Sequence, residues 1–149
     1  MLTLLQRETF TGDKSSMDPF QIVLANHHLP LRECLKRILK EKADLKVVGE
    51  AEDGFELLNL LRLSDLAPQL VILDPSMPNF QGIEGIHKVK AIHPEIKVLV
   101  LSMHKDKEYL SQAISHGAEG YLIKETVGKE LLPAIEMIMQ GRLYVPPFP

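Results

Sequence analysis

The sequence predicts an α/β domain, a five-stranded parallel sheet with helices on both faces. Two features predict it. Short apolar runs and amphipathic stretches alternate five times along the chain. Three of those runs, Ile22-Val23-Leu24-Ala25, Leu70-Val71-Ile72-Leu73 and Val98-Leu99-Val100-Leu101, are apolar throughout. Uninterrupted apolar runs of that length mark strands buried on both faces, as in a parallel sheet covered by helices.

The elements follow in order. After the first run, Leu31, Leu35, Ile38 and Leu39 recur at helical spacing, one stripe of a first helix. Arg32, Lys36, Arg37, Lys40 and Lys42 lie in and just after it, interrupted by Glu33 and Glu41, and read as its solvated face. Val47-Val48 marks a second strand. Leu57, Leu58, Leu60 and Leu61 give a second helix with Asp53 as its N-cap. Leu70 to Leu73 is the third strand, and Ile83, Ile86, Val89 and Lys90 belong to a third helix that starts after Gly82. The fourth strand is Val98 to Leu101. Tyr109, Leu110, Ala113 and Ile114 form a fourth helix ended by Gly117. Gly120-Tyr121-Leu122-Ile123 is the fifth strand. Leu131, Leu132, Ile135, Ile138 and Met139 give a fifth helix ended by Gly141, with Pro133 inside it as a potential kink.

Right-handed crossovers place the helices on both faces of such a sheet, in a flavodoxin-like or a Rossmann-like order. No G-x-G-x-x-G loop is present, which disfavours the dinucleotide-binding form. Residues 1–19 show no sustained periodicity and read as a flexible extension, with Met17 a plausible native start. Residues 20–144 form the domain, and 145–149 read as the start of a linker or tail. A net charge of −3 over 149 residues excludes a chain-wide nucleic-acid or membrane-surface footprint. The single cysteine, Cys34, excludes an intrachain disulfide, and no apolar run reaches membrane-spanning length. A cytoplasmic location is expected.

In open α/β sheets, function gathers beyond the carboxyl ends of the strands. There the chain places Asn26, His27 and His28 after the first strand, and Asp74, Pro75, Ser76, Met77 and Pro78 after the third. Ser102, Met103 and His104 follow the fourth, and Lys124 follows the fifth. An acid, a hydroxyl and an amine from three strands thus share one rim.

The segments Val71-Ile72-Leu73-Asp74-Pro75-Ser76-Met77-Pro78, Val98-Leu99-Val100-Leu101-Ser102-Met103-His104 and Gly117-Ala118-Glu119-Gly120-Tyr121-Leu122-Ile123-Lys124 closely resemble the receiver (CheY-like) domains of response regulators, most of all the NarL/FixJ subgroup. The resemblance runs from about Ile22 to Tyr144. It implies the flavodoxin-like order and a phosphorelay role in two-component signalling. Asp74 would be the phosphoacceptor and Lys124 its cationic partner. Ser102 and Tyr121 would be switch residues, with Tyr121 turning inward on activation. Mg2+ would be held by Asp74, the backbone of Ser76 and the positions of Asn26 and His27. The implied partners are a sensor histidine kinase and a possible homodimer, with DNA bound only through a C-terminal LuxR-type helix-turn-helix absent from this chain. No enzyme activity is implied beyond autophosphorylation from a phosphodonor and autodephosphorylation.

The chain departs from the family after the first strand. The family pattern there is close to Ala-Asp-Asp-His-Pro-Leu, and this chain reads Ala25-Asn26-His27-His28-Leu29-Pro30. Asn26 still offers an amide oxygen, but His27 offers nitrogen, which Mg2+ disfavours. Weak Mg2+ binding and weak or absent phosphorylation are expected. Two readings follow: a receiver still phosphorylated at lower efficiency, with incoming phosphoryl oxygens helping to recruit Mg2+, and a phosphorylation-independent pseudo-receiver that works through protein contacts or dimerisation. His27, if protonated, could serve as a built-in cation beside Asp74. A remote alternative is a transition-metal site such as Zn2+ made by His27, His28, Asp74 and His104.

Overall fold

The computed structural model describes residues 18–63 and 65–146. The readings of residues 1–17 as an extension and of 147–149 as linker lie outside the described residues. β1 (Phe20–Ala25), β2 (Leu45–Ala51), β3 (Leu70–Leu73), β4 (Lys97–Ser102) and β5 (Gly120–Ile123) form one parallel sheet in the order β2-β1-β3-β4-β5. That order is the flavodoxin-like one, and its switch point lies between β1 and β3.

The helices are α1 (Leu29–Leu39), α2 (Gly54–Leu63), α3 (Gly85–Ile92), α4 (Lys107–Ser115) and α5 (Val127–Met139). Because successive side chains of a strand leave opposite faces, each buried strand feeds two cores. Val23, Ala25, Val71, Leu73, Val98 and Val100 pack with Leu57, Leu61, Ile86, Val89 and Ala113 of α2, α3 and α4. Ile22, Leu24, Leu70, Ile72, Leu99 and Leu101 pack with Leu35 and Leu39 of α1 and Leu131, Ala134, Ile135 and Ile138 of α5. An apolar run without alternation is the sequence mark of a strand that serves both.

Helix ends follow local chemistry. Asp53 caps α2, accepting the Glu56 amide at 2.8 Å, as the sequence predicts. Gly117 and Gly141 take positive φ after α4 and α5, where Ala118 and Arg142 amides bond back to Ala113 and Met137 carbonyls. α3 is preceded by a short 3-10 turn over Gly82–Glu84. α5 runs unbroken through Pro133, an exposed residue opposite the buried stripe that holds the helix in place.

Three expectations are corrected. β2 is longer than Val47-Val48 because an edge strand needs only one covered face, and Lys46, Gly49 and Glu50 complete it. Met139, assigned to the buried stripe of α5, is 43% exposed at the helix end. Arg32 is not on a solvated face. It is 5% exposed and donates to the Asn26 carbonyl and, at 2.9 Å, to Glu50, whose other oxygen accepts from Lys36 at 2.8 Å. A guanidinium with several fixed donors can be buried where acceptors meet it on more than one side.

This brace is pH-sensitive. The Lys36 ammonium, and behind it Arg32, hold the Glu50 carboxyl below its ordinary value of 4.5, against the opposing effect of partial burial. A depressed carboxyl contributes stability above its unfolded pKa and loses it as pH falls. Glu50→Gln is therefore expected to be less stable at neutral pH. Its urea midpoint should also decline less steeply than the wild-type one as pH drops through the glutamate range. Equal slopes for the two proteins would count against the brace.

Beyond α5 the chain returns to the free edge of β5. Tyr144 pairs with Gly120, its amide donates to the Glu119 carbonyl at 3.0 Å, and its carbonyl accepts the Tyr121 amide at 3.1 Å. Its hydroxyl donates to Glu130 at 2.7 Å. Burial, aided by that carboxylate, pushes the phenol up to about 12. The segment covers an edge that would otherwise present unpaired backbone groups.

Candidate functional site

The four strand ends deliver Asn26, Asp74, Ser102 and Lys124 to one rim. Asp74 follows the fully buried β3 and is itself 2% exposed. Its amide bonds to the Ala25 carbonyl at 3.0 Å, carrying the β1–β3 pairing one residue past the strand. A carboxylate so enclosed needs donors. Lys124 reaches its Oδ2 at 2.7 Å, and the Ser76 amide and hydroxyl reach Oδ1 at 2.9 and 2.7 Å.

Asn26, also 2% exposed, adds a longer contact from Nδ2 to Asp74 Oδ2 at 3.4 Å. Its Oδ1 accepts the His28 backbone amide at 2.7 Å. An amide N–H can only donate, so the atom facing it must be the oxygen, and the NH2 is left to face Asp74. The sequence suggested that Asn26 offers an oxygen at this site. The structure turns that oxygen away and presents a donor.

His27 and His28 are exposed. The idea of His27 as a cation beside Asp74 is not supported, because Asn26 takes the buried place next to Asp74 and His27 lies exposed. The geometry gives the transition-metal alternative no support, since His27 and His28 are exposed while Asp74 is 2% exposed with both oxygens taken by Lys124 and Ser76. His104 is occupied elsewhere, stacked on Tyr109 with centroids 4.1 Å apart.

Ser102 and Tyr121, expected as switch residues, form a second group. Ser102 is 3% exposed and its hydroxyl accepts the His104 amide at 3.0 Å. Tyr121 is fully buried, and its hydroxyl donates to the His104 carbonyl at 2.9 Å. The inward position expected only on activation is thus the position Tyr121 occupies here. Burial pushes its phenol up to about 12, with a hydrogen bond from Ser102 acting in the opposite direction. Tyr109 packs edge-on against Tyr121 at 6.2 Å, and its phenol is raised by burial and then by the charges of Asp74 and Asp106. Asp106 caps α4 by accepting the Tyr109 amide at 2.7 Å. Ser76 enters the site as a donor to Asp74 through its amide and hydroxyl. Sequence reasoning missed Tyr109 and Arg32 as neighbours of the site. An aspartate three residues before Tyr109 was the available signal for the first.

The rim thus holds a buried aspartate at the switch point, a lysine on it from the end of β5, and a hydroxyl and an aromatic residue on β4 and β5. The family model for the response regulator receiver domain matches residues 22–136. The chain belongs to that family. It is 35% identical over 136 residues to the transcriptional regulatory protein DegU of Brevibacillus brevis, covering 91% of this chain and 57% of DegU. It is 35% identical over 126 residues to the oxygen regulatory protein NreC of Staphylococcus epidermidis, covering 84% and 57%. The chain thus spans a little over half the length of these relatives.

Among solved structures, RcsB of Salmonella typhimurium superposes with a TM-score of 0.80 at 27% identity, over 87% of this chain and 63% of that one. The receiver domain of the putative response regulator NarL from Mycobacterium tuberculosis gives 0.75 at 30% identity, over 84% and 99%. The relatives are NarL/LuxR-family response regulators. No helix among the described residues is long and apolar enough to cross a membrane.

Proposed function

We propose that this domain is a receiver that no longer depends on Mg2+-assisted phosphorylation and signals through protein contacts, as the regulatory part of a LuxR-type transcription regulator. The observation that carries the reading is the Asn26 amide donor turned toward Asp74. Mg2+ takes oxygen ligands at near-octahedral geometry, commonly with one or two carboxylates. The oxygens of Asp74 already receive Lys124, Ser76 and Asn26. A donor NH2 where the family has a carboxylate repels a cation, so the residues present do not fit the metal. Lys124 and Asn26 supply the neutralisation that Asp74 needs. With Tyr121 already inward, the face around β5 is held in one arrangement.

In the full-length protein a DNA-binding segment would follow this domain, as the share of relatives covered supports. A second copy would be its partner, and RcsB has been solved as dimers on DNA. A sensor histidine kinase is the partner under the competing reading, in which Asp74 is still phosphorylated.

The test is intact mass after incubation with acetyl phosphate, with and without Mg2+, beside Asp74→Asn and the double variant Asn26→Asp with His27→Asp. The expected result is no Mg2+-dependent phosphoryl gain on wild type and a clear one on the double variant. A Mg2+-dependent gain on wild type, absent from Asp74→Asn, would overturn the proposal and favour the phosphorelay reading.

A further inference from the structure

We propose that His87 and His116 form a surface site for a divalent transition ion of the Zn2+ type, tying α3 to the C-terminal end of α4. The two residues are 29 positions apart and stand on separate elements, His87 in the first turn of α3 and His116 at the C-cap of α4. Neither belongs to the rim of Asp74.

Their ring centroids lie 4.7 Å apart with the planes tilted by 52°. That separation can be compared with what one shared ion requires. With metal–nitrogen bonds of about 2.0–2.1 Å, two imidazoles on one ion have centroids about 4.5 Å apart at a right angle and about 5.2 Å apart at the tetrahedral angle. The observed spacing falls inside that window. A tilt of 52° is also far from parallel stacking.

A second observation concerns which nitrogen is free. His116 Nδ1 lies 2.7 Å from the Gln112 carbonyl. A carbonyl can only accept, so Nδ1 carries the proton, and in the neutral ring Nε2 keeps its lone pair. A backbone carbonyl on the far ring nitrogen is the usual support of a metal-binding histidine, fixing both tautomer and ring direction. His87 is exposed and can turn its ring to meet the same ion.

The surroundings do not oppose a cation. Lys90, one turn beyond His87, has its ammonium drawn away, to the Ile96 carbonyl and Glu119 at 2.7 Å each. Gly117, at φ +113, puts no side chain beside the pair. Two nitrogen ligands select Zn2+, Ni2+ or Cu2+ over Mg2+. With no third protein ligand among the described residues, water or a residue of a partner would fill the remaining positions, so the ion is exchangeable.

The experiment is a Zn2+ titration by calorimetry on wild type, His116→Gln and His87→Ala, with Cu2+ as a paramagnetic probe in amide NMR spectra. His87 is exposed and the half-buried His116 belongs to neither apolar cluster, so neither variant removes a core side chain. Wild type is expected to bind one equivalent of Zn2+ that Mg2+ does not displace, with affinity reduced roughly tenfold or more in each variant. Substoichiometric Cu2+ should first broaden amides 86–90 and 115–118. The proposal is overturned if the variants bind Zn2+ like wild type. It is equally overturned if the broadening centres on His27 and His28 or on the N-terminus. Neither readout depends on whether Asp74 is phosphorylated.

Discussion

Asn26→Asp is expected to make the thermal stability of the domain depend on Mg2+, which under the proposed reading leaves wild type almost unaffected. The substitution is nearly isosteric, and an aspartate oxygen can still accept the His28 amide as Oδ1 does at 2.7 Å. What changes is the other atom, where a donor NH2 3.4 Å from Asp74 becomes a second carboxylate oxygen. Both positions are 2% exposed, and two like charges at that range in a poorly solvated site cannot both ionise freely. Lys124 offsets part of the repulsion.

A loss of about 2 kcal/mol without metal is the expected scale, roughly 5–10 °C in Tm for a domain of this size. Millimolar Mg2+ should restore much of it, because an ion that binds only the folded state stabilises in proportion to the logarithm of its concentration. Wild type should shift by less than about 1 °C over the same series. Scanning fluorimetry in EDTA and in stepped Mg2+ reads both. An equal response in the two proteins would mean that Asn26 is not what excludes the metal.

The layered architecture was legible in the sequence because burial on two faces leaves an unmistakable trace. Leu70-Val71-Ile72-Leu73 contains no polar residue, and the structure ends β3 there and sets Asp74 one residue beyond. That Asp74 and Lys124 share one rim followed from knowing that strand ends of a parallel sheet converge, whereas their direct pairing was implied by the resemblance to receiver domains. The parts that were not legible depend on groups distant in sequence or on atoms within one side chain. Nothing local says which end of the Asn26 amide faces Asp74, since the His28 backbone decides it after the loop has folded. Arg32 sits among exposed-looking charges in sequence, and only the return of β2 brings Glu50 to it, 18 positions on. Tyr144 lies past the last helix, where no periodicity marks it, and its pairing exists only because β5 is an edge.

Gly54→Ala is expected to be the most damaging single-methyl change at the rim, although local reasoning predicts the reverse. Gly54 opens α2, and alanine is a better helix former by up to about 1 kcal/mol. The obstacle is the loop after β3. A Cβ at position 54 would lie 1.9 Å from the Asn79 carbonyl oxygen, 2.5 Å from its carbon and 2.8 Å from the Phe80 Cα. These are backbone atoms, with no rotamer to yield. Retreat is costly as well, since the Gly54 amide bonds to the Pro78 carbonyl at 2.8 Å. Asn79 and Gln81 already hold left-handed φ values of 62 and 75, so the loop has little slack. A destabilisation of about 3 kcal/mol or more is expected. Because Pro78 and Asn79 lie just beyond Asp74 and Ser76, the amide signals of those two residues should shift too. Gly128→Ala is the matched control, since it too lies in the first turn of a helix but nothing stands within 4 Å of its Cβ. Its urea midpoint should be unchanged or higher. If Gly54→Ala instead proves as stable as Gly128→Ala, the loop is not held against α2 and the Asp74 rim is looser than its hydrogen bonds imply.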